Sequence, residues 1–228
     1  MASKTAPTVL KTVVFMGSAR SAPAFWGGDS RLGDRALEWV KSTLAAREAP
    51  VGTGGAVTHD VTVFDPIEVF GEGGALASSQ QLGTPHFFFK GGEAPAAMEA
   101  MKETIKAADA YIIVTAEYNH SVPPALLSML GHFGGSNFSA KPSGIVTYSV
   151  GPWGGARAAI SIQPVLHELG CLPVSAMVHL PSLGGLIDEA GVPTDAEARP
   201  LGQLPKMLAQ LEWMALAMKT QRDALGMW

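Results

Sequence analysis

Apolar residues fall into short runs rich in Val, Ile, Thr, Phe and Tyr, separated by stretches in which they recur every three or four positions. The runs predict strands over 12–16, 60–64, 110–115, 143–148 and 172–178. From Leu32 to Arg47 the residues Leu32, Ala36, Leu37, Val40 and Leu44 share one helical face, and Met98, Met101, Ile105 and Ala108 share another. A third helix carries Leu126, Leu127, Met129 and Leu130 behind Pro123-Pro124, and 156–169 and 203–218 supply two more. Five strands alternating with five helices predict an α/β fold: a doubly wound parallel sheet in the order 2-1-3-4-5, with helices on both faces.

Three of the runs end in specialised loops, and such loops lie at the carboxyl edge of a parallel sheet, where open α/β folds bind ligands. The first strand breaks into Gly17-Ser18-Ala19-Arg20. Gly17 lets the chain leave the strand tightly, Ser18 offers a hydroxyl and Arg20 a charged fork, which suits a phosphate dianion at a helix start. Arg31 and Gly33, just ahead of the first helix, are expected to return to the same pocket. The pattern is neither a Walker loop nor the G-x-G-x-x-G dinucleotide fingerprint.

The third strand runs into Glu117, Tyr118, Asn119, His120, Ser121 and Val122, which offer donors, acceptors and an aromatic ring to a flat ligand, with two prolines stiffening the chain ahead of the helix. The fourth runs into Ser149-Val150-Gly151-Pro152-Trp153-Gly154-Gly155. Glycines there permit close backbone approach, and a helix beginning near Gly155 directs its positive end at negative charge. Trp153 flanks the ligand, covers the pocket or packs on another subunit.

Composition narrows the classes. A chain of 228 residues with 47% hydrophobic and 16% charged residues suits one folded domain, spanning 1–228. A net charge of −4 gives no basic field for a nucleic acid. The single cysteine, Cys171, excludes a disulfide framework within the chain, reads as a small core residue, and suits a reducing, cytoplasmic setting. No apolar run approaches the roughly 20 residues of a membrane span.

Two segments depart from an ideal unit: 21–30, a Gly/Pro/aromatic insertion, and 71–92, glycine-rich, with Phe87, Phe88 and Phe89 expected to form a satellite hydrophobic cluster, the alternatives being a pocket cap or a contact with a partner subunit. His120 and His132 lack further ligands at metal spacing. Tyr148-Ser149-Val150-Gly151 resembles a nucleophile elbow, but Thr147 stands where that motif has its first glycine.

Taken in order and spacing, the Gly17–Arg20 loop, the Glu117–Pro123 loop and Gly151-Pro152-Trp153-Gly154-Gly155-Ala156-Arg157 resemble the NADPH-dependent FMN reductase family of flavodoxin-like quinone and azo-dye reductases. The resemblance covers about Thr12 to Val178. It implies a flavodoxin-like fold, bound FMN, NADPH or NADH as hydride donor, a small-molecule acceptor such as a quinone, free flavin or azo compound, and a homodimer or homotetramer. It places Ser18, Arg20 and Arg31 at the phosphate, Glu117, Tyr118, Asn119 and His120 along the ribityl chain and ring, and Ser149, Gly151, Trp153 and Gly154 at the pyrimidine end. No catalytic side chain is implied, because the flavin carries the chemistry. A non-catalytic flavin-binding or redox-sensing module and a serine hydrolase built on Ser149 are the alternatives.

Overall fold

A computed structural model describes residues 7–20, 31–47, 56–77 and 83–226 of the chain. The 21–30 insertion and the centre of the 71–92 segment lie outside the described residues.

Five strands form one all-parallel sheet in the order β2-β1-β3-β4-β5. They are β1 (Thr8–Met16), β2 (Val57–Phe64), β3 (Ala110–Ala116), β4 (Lys141–Tyr148) and β5 (Cys171–Leu180). Every expected strand is present, and the expected order holds. The central strands β3 and β4 are buried along their whole length, as both-face coverage requires, whereas the edge strand β2 alternates. β1 begins four residues earlier than its apolar run because it pairs in register with β2 from Thr8↔Val57 onward. Backbone pairing extends a strand past the point where side chains cease to be apolar.

Among the described residues seven α-helical segments join or follow the strands: α1 (Leu32–Ala45), α2 (Pro66–Val69), α3 (Ala96–Ala107), α4 (Pro124–Gly131), α5 (Ala156–Glu168), α6 (Leu183–Leu186) and α7 (Gln203–Leu225). The five long ones are those expected. The single turns α2 and α6 are too short to show a helical period in sequence. Residues of α1 and α7 share a core with Leu10, Val14, Ile112, Val146 and Val178 on one face of the sheet. Those of α3, α4 and α5 pack with Val13, Phe15, Tyr111, Ile113 and Ile145 on the other. β4 and β5 slip in register after Ser143, and Gln210 of α7 accepts the freed Ala176 N–H at 2.9 Å.

α7 runs well past Met218. Its last turns are tied down because Lys219 and Arg222 reach the buried Asp109 carboxylate at 3.1 and 2.8 Å, and Arg222 also donates to Ala140 O. Nearby, the buried Lys141 ammonium donates to the carbonyls of Ile105, Lys106 and Asn137 and meets the Tyr111 hydroxyl, closing the carboxyl end of α3. Deeper between α7 and the sheet, Glu212 pairs with Arg47 and His59, and His59 with Thr12. Cys171 is buried at the start of β5, as expected, with its thiol pushed up to about 12 by burial. The Phe87–Phe89 expectation fails in part. Phe89 packs on the core, but Phe87 and Phe88 lie on an exposed 3-10 turn, edge to face, because Pro85 and the His86 N–H bond to His132 O turn them outward.

Candidate functional site

The three specialised loops meet at the carboxyl edge of the sheet, around the point where β1 and β3 part to opposite faces. Gly17 donates to Val114 O at 2.8 Å, and a methyl group on it would overlap the Thr115 side chain, so the first loop can take this path only with glycine there. Ser18 lies beyond it, buried, and its Oγ is 2.5 Å from the Tyr118 hydroxyl of the third-strand loop. Arg20 N–H donates to the same Oγ, and the Arg20 guanidinium stacks on the Tyr118 ring 3.9 Å from its centroid. The expected first-loop and third-strand residues are therefore brought into direct contact.

Arg31 is placed differently from the expectation that it offers a donor to the ligand. It is buried at the amino end of α1, where Nε and Nη2 donate to Asp34, Nη1 and Nη2 to Asp65, and Nη1 also to Ser18 O. All five guanidinium N–H groups are thus engaged within the protein. Burial opposes the charge, but the Asp65 and Asp34 hydrogen bonds outweigh it and hold the guanidinium above its ordinary pKa. Arg31 fixes the shape of the first loop. The two aspartates were missed in sequence, although Asp65 comes directly after β2 and caps α2 by accepting Ile67 N–H, a signal visible in Asp65-Pro66.

In the third-strand loop, Tyr118 and Ser121 exchange backbone hydrogen bonds of 2.8 and 2.9 Å across a tight turn. Asn119 and His120 form its tip with φ of 50° and 65°, exposed to solvent. Glu117 turns the other way. Its carboxylate accepts the Arg157 N–H at the start of α5 and pairs with the Arg157 guanidinium, which offsets the unpaired amides at that helix end. Ser121 bonds Ser161 at 2.8 Å, a second tie to α5.

The fourth-strand loop is set by Gly154 and Gly155, both with positive φ. A side chain at Gly155 would overlap Thr147. Ser149 Oγ donates to Gly151 O at 2.8 Å, and His179 meets Thr147 Oγ1 at 2.8 Å, with burial holding its imidazole below the ordinary pKa. Ser149 and His179 thus face different partners, and the serine-hydrolase arrangement is not formed among the described residues. Trp153 projects from the rim, 68% exposed.

One further group belongs to the site. The Tyr148 hydroxyl, at the end of β4, is buried and makes no hydrogen bond among the described residues. It lies against Gly33 in the first turn of α1, where a methyl group would overlap it. Burial raises its pKa, the nearby Tyr118 hydroxyl adds to that, and Ser18 opposes it. It escaped sequence reading because a Tyr ending an apolar run looks like any other core residue.

The chain resembles known proteins in sequence and in fold. The sequence profile described as NADPH-dependent FMN reductase matches residues 10–183. The chain is 34% identical over 120 residues to a quinone reductase of Escherichia coli, spanning 51% of this chain and 62% of that one. It is 31% identical over 131 residues to an NAD(P)H-dependent FMN reductase of Pseudomonas aeruginosa, 56% of this chain and 68% of that one. Among solved structures, FerB, a flavoenzyme NAD(P)H:(acceptor) oxidoreductase from Paracoccus denitrificans, superposes with a TM-score of 0.60 at 18% identity, over 90% of this chain and 98% of that one, a likeness of fold. The match spans under two thirds of the E. coli relative's length, but the profile takes in all three loops and the sheet that carries them. The chain belongs to the NADPH-dependent FMN reductase family.

Proposed function

We propose that this chain is an FMN-dependent NAD(P)H oxidoreductase that passes two electrons from a nicotinamide nucleotide to a small acceptor such as a quinone, free flavin or azo compound. The observation that carries this reading is the direct contact between the first and third loops, Ser18 against Tyr118 with Arg20 stacked on the same ring. It supports a pocket whose phosphate end and flat-ring end are built by one set of side chains.

The residues fit such a cofactor. Gly17 and Gly33 keep the first loop and the first turn of α1 free of side chains, so backbone can approach a phosphate closely. Ser18 and Arg20 are the side-chain donors to it, and Arg31 acts behind them by holding the Ser18 carbonyl. Tyr118, Asn119 and His120 line the ring side, and Ser149, Gly151, Trp153 and Gly154 the opposite rim. Glu117 serves by fixing the start of α5, so its contribution to a ligand comes through the backbone. FMN, when bound, supplies the hydride acceptor and donor chemistry, and the protein binds and orients it and limits access of water.

The exposed apolar residues Val150, Trp153 and Ile160 stand beside this rim and support a homodimer with the site near its interface. The whole chain is read as one domain. No helix of the described residues is long and apolar enough to cross a membrane. With one buried cysteine, a reducing cytoplasmic setting is the reading that fits.

The test is the visible absorbance of purified protein offered FMN and desalted, before and after anaerobic NADPH. A retained chromophore that bleaches is the expected result. Retained colour that NADPH leaves unchanged overturns the catalytic reading in favour of a binding module, and loss of all flavin overturns the cofactor.

A further inference from the structure

His179 stands beneath the fourth-strand loop. Residues two apart on a strand share a face, so it lies on the side of Met177, which packs with the core under α5. A Cβ built on Gly154 would come within 3.1 Å of the His179 Cβ and carbonyl carbon, so the loop rests directly on this residue.

The hydrogen bonds there fix which ring nitrogen carries the proton. Thr147 Oγ1 lies 2.8 Å from Gly154 O, 3.3 Å from Val178 O and 2.8 Å from His179 Nδ1. The carbonyls only accept, so the one Thr147 proton goes to the nearer, Gly154 O, and His179 Nδ1–H donates to Oγ1. The reverse assignment, with Thr147 donating to Nδ1, would leave two acceptor oxygens facing each other at 2.8 Å without a proton between them. The relay therefore runs from His179 Nδ1–H through the Thr147 hydroxyl to Gly154 O, and it holds the loop at a glycine with φ of 61°.

His179 Nε2 keeps a lone pair and makes no hydrogen bond among the described residues, and the side chain is only partly buried. An imidazolium donates from Nδ1 as the neutral ring does, so a proton added at Nε2 leaves the whole relay in place. This residue changes its charge without changing the shape of the loop above it. Burial holds its pKa below the ordinary value. Of the charged groups on the elements packed against it, Arg157 at the start of α5 is paired with Glu117, His167 and Glu168 lie at the far end of α5, and Lys141 lies at the opposite end of β4. A negative charge arriving at the loop would supply the attraction for a proton that these groups do not.

We propose that His179 is a charge-compensating positioning residue, which takes up a proton at Nε2 when negative charge develops on a flavin ring held against the Gly151 to Gly155 loop and releases it when that charge leaves. The proposal rests on the flavin reading above. A hydride from the nicotinamide brings the ring two electrons and one proton, hence one net negative charge. The proton on Nε2 comes from solvent, so ring and imidazole together gain no net charge.

The first arm of the experiment needs no flavin: long-range proton–nitrogen NMR spectra of the full chain show which His179 nitrogen is protonated. The Nδ1–H form is expected at neutral pH, and the Nε2–H form would overturn the proposal whatever the chain binds. The second arm is the midpoint potential of FMN bound to the full chain and to His179→Asn, from acid to alkaline pH. Asparagine places an amide N–H where Nδ1–H stands and has no titrating nitrogen, so the relay is kept and the charge is lost. At acid pH the unsubstituted chain should favour reduced over oxidised flavin about fivefold more than the variant does, about 20 mV for two electrons, and the two should converge at alkaline pH. By linkage, His179 should bind its proton about fivefold more tightly in the reduced complex than in the oxidised one.

A potential difference that is absent, or that does not vary with pH, overturns the proposal and leaves the flavin reading intact. If the chain binds no FMN, the flavin reading falls and the proposal with it. Should His179→Asn not fold, the proton affinity of His179 in the two complexes of the unsubstituted chain decides alone, and equal values overturn the proposal.

Discussion

The two edges of the sheet handle buried polar groups in opposite ways. At the amino edge, Lys141 meets three carbonyls and a phenol, and Asp109 meets Lys219, Arg222 and the Lys11 N–H. Each group there is matched, and the result is a closed base that pins α3 and α7 to the strands. At the carboxyl edge Arg31 is matched as completely, between Asp34 and Asp65, yet near it stand the buried Tyr148 hydroxyl, which has no hydrogen-bond partner among the described residues, and a rim of exposed side chains. The contrast teaches that the presence of buried polar residues does not mark a site in this molecule. What distinguishes the candidate site is its open rim, where strand-end loops keep side chains such as Arg20, Asn119 and Trp153 accessible to a ligand.

The contrast can be broken first at the closed end. Glu212→Gln leaves Arg47 and His59 beside an uncharged amide, and a loss of about 3 kcal/mol is expected from urea unfolding at neutral pH. Burial raises the Glu212 pKa, but the His59 and Arg47 hydrogen bonds outweigh this and hold it below its ordinary value. Its stabilisation is therefore full above the ordinary carboxylate range and is lost as pH falls through the lower folded value. Melting temperatures of the two proteins should converge on acidification. A gap that stays constant down to acid denaturation would refute the charged role.

Next in size, Lys141→Met should cost about 2 kcal/mol by leaving the last carbonyls of α3 unmatched, seen as early hydrogen exchange in α3 on an otherwise intact fold. Arg31→Lys has a comparable test at the open end. A lysine cannot span two carboxylates and the Ser18 carbonyl, so a loss of about 1–2 kcal/mol is expected, together with weaker FMN binding. If stability falls and FMN affinity does not, the first loop keeps its shape without the clamp.

The smallest effect has the opposite sign. Tyr148→Phe removes an unmatched buried hydroxyl and should stabilise the flavin-free protein by up to about 1 kcal/mol. A destabilised Tyr148→Phe would show that this hydroxyl is matched in solution.

Much of the fold and of the site was legible in the chain itself. Strand order came from the alternation of short Val/Ile runs with helical spacing, since a parallel sheet buried on both faces writes its strands as continuous apolar runs. Ser18, Arg20 and Tyr118 were legible as candidates because they sit in polar loops directly behind such runs, and the structure brings the three together. What escaped was pairing at a distance. Nothing near Arg31 shows that Asp65 will complete its hydrogen bonds across 34 positions, or that Glu117 will turn to the start of α5 40 positions on. Phe87 and Phe88 were misplaced for a related reason: hydrophobicity predicts burial only where some other element arrives to cover the residue.

Cys171 gives the molecule a built-in clock. Its thiol is buried at the start of β5, donates to Leu166 O at 3.5 Å, and sits at about 12, so almost no thiolate forms in the folded chain. A sulfhydryl reagent can attack only when β5 leaves α5 and the sheet opens. With one such group in the whole chain, the labelling rate in excess reagent under native conditions reads the frequency of that opening directly, and its slowing on addition of FMN would measure how far a bound flavin holds the sheet shut.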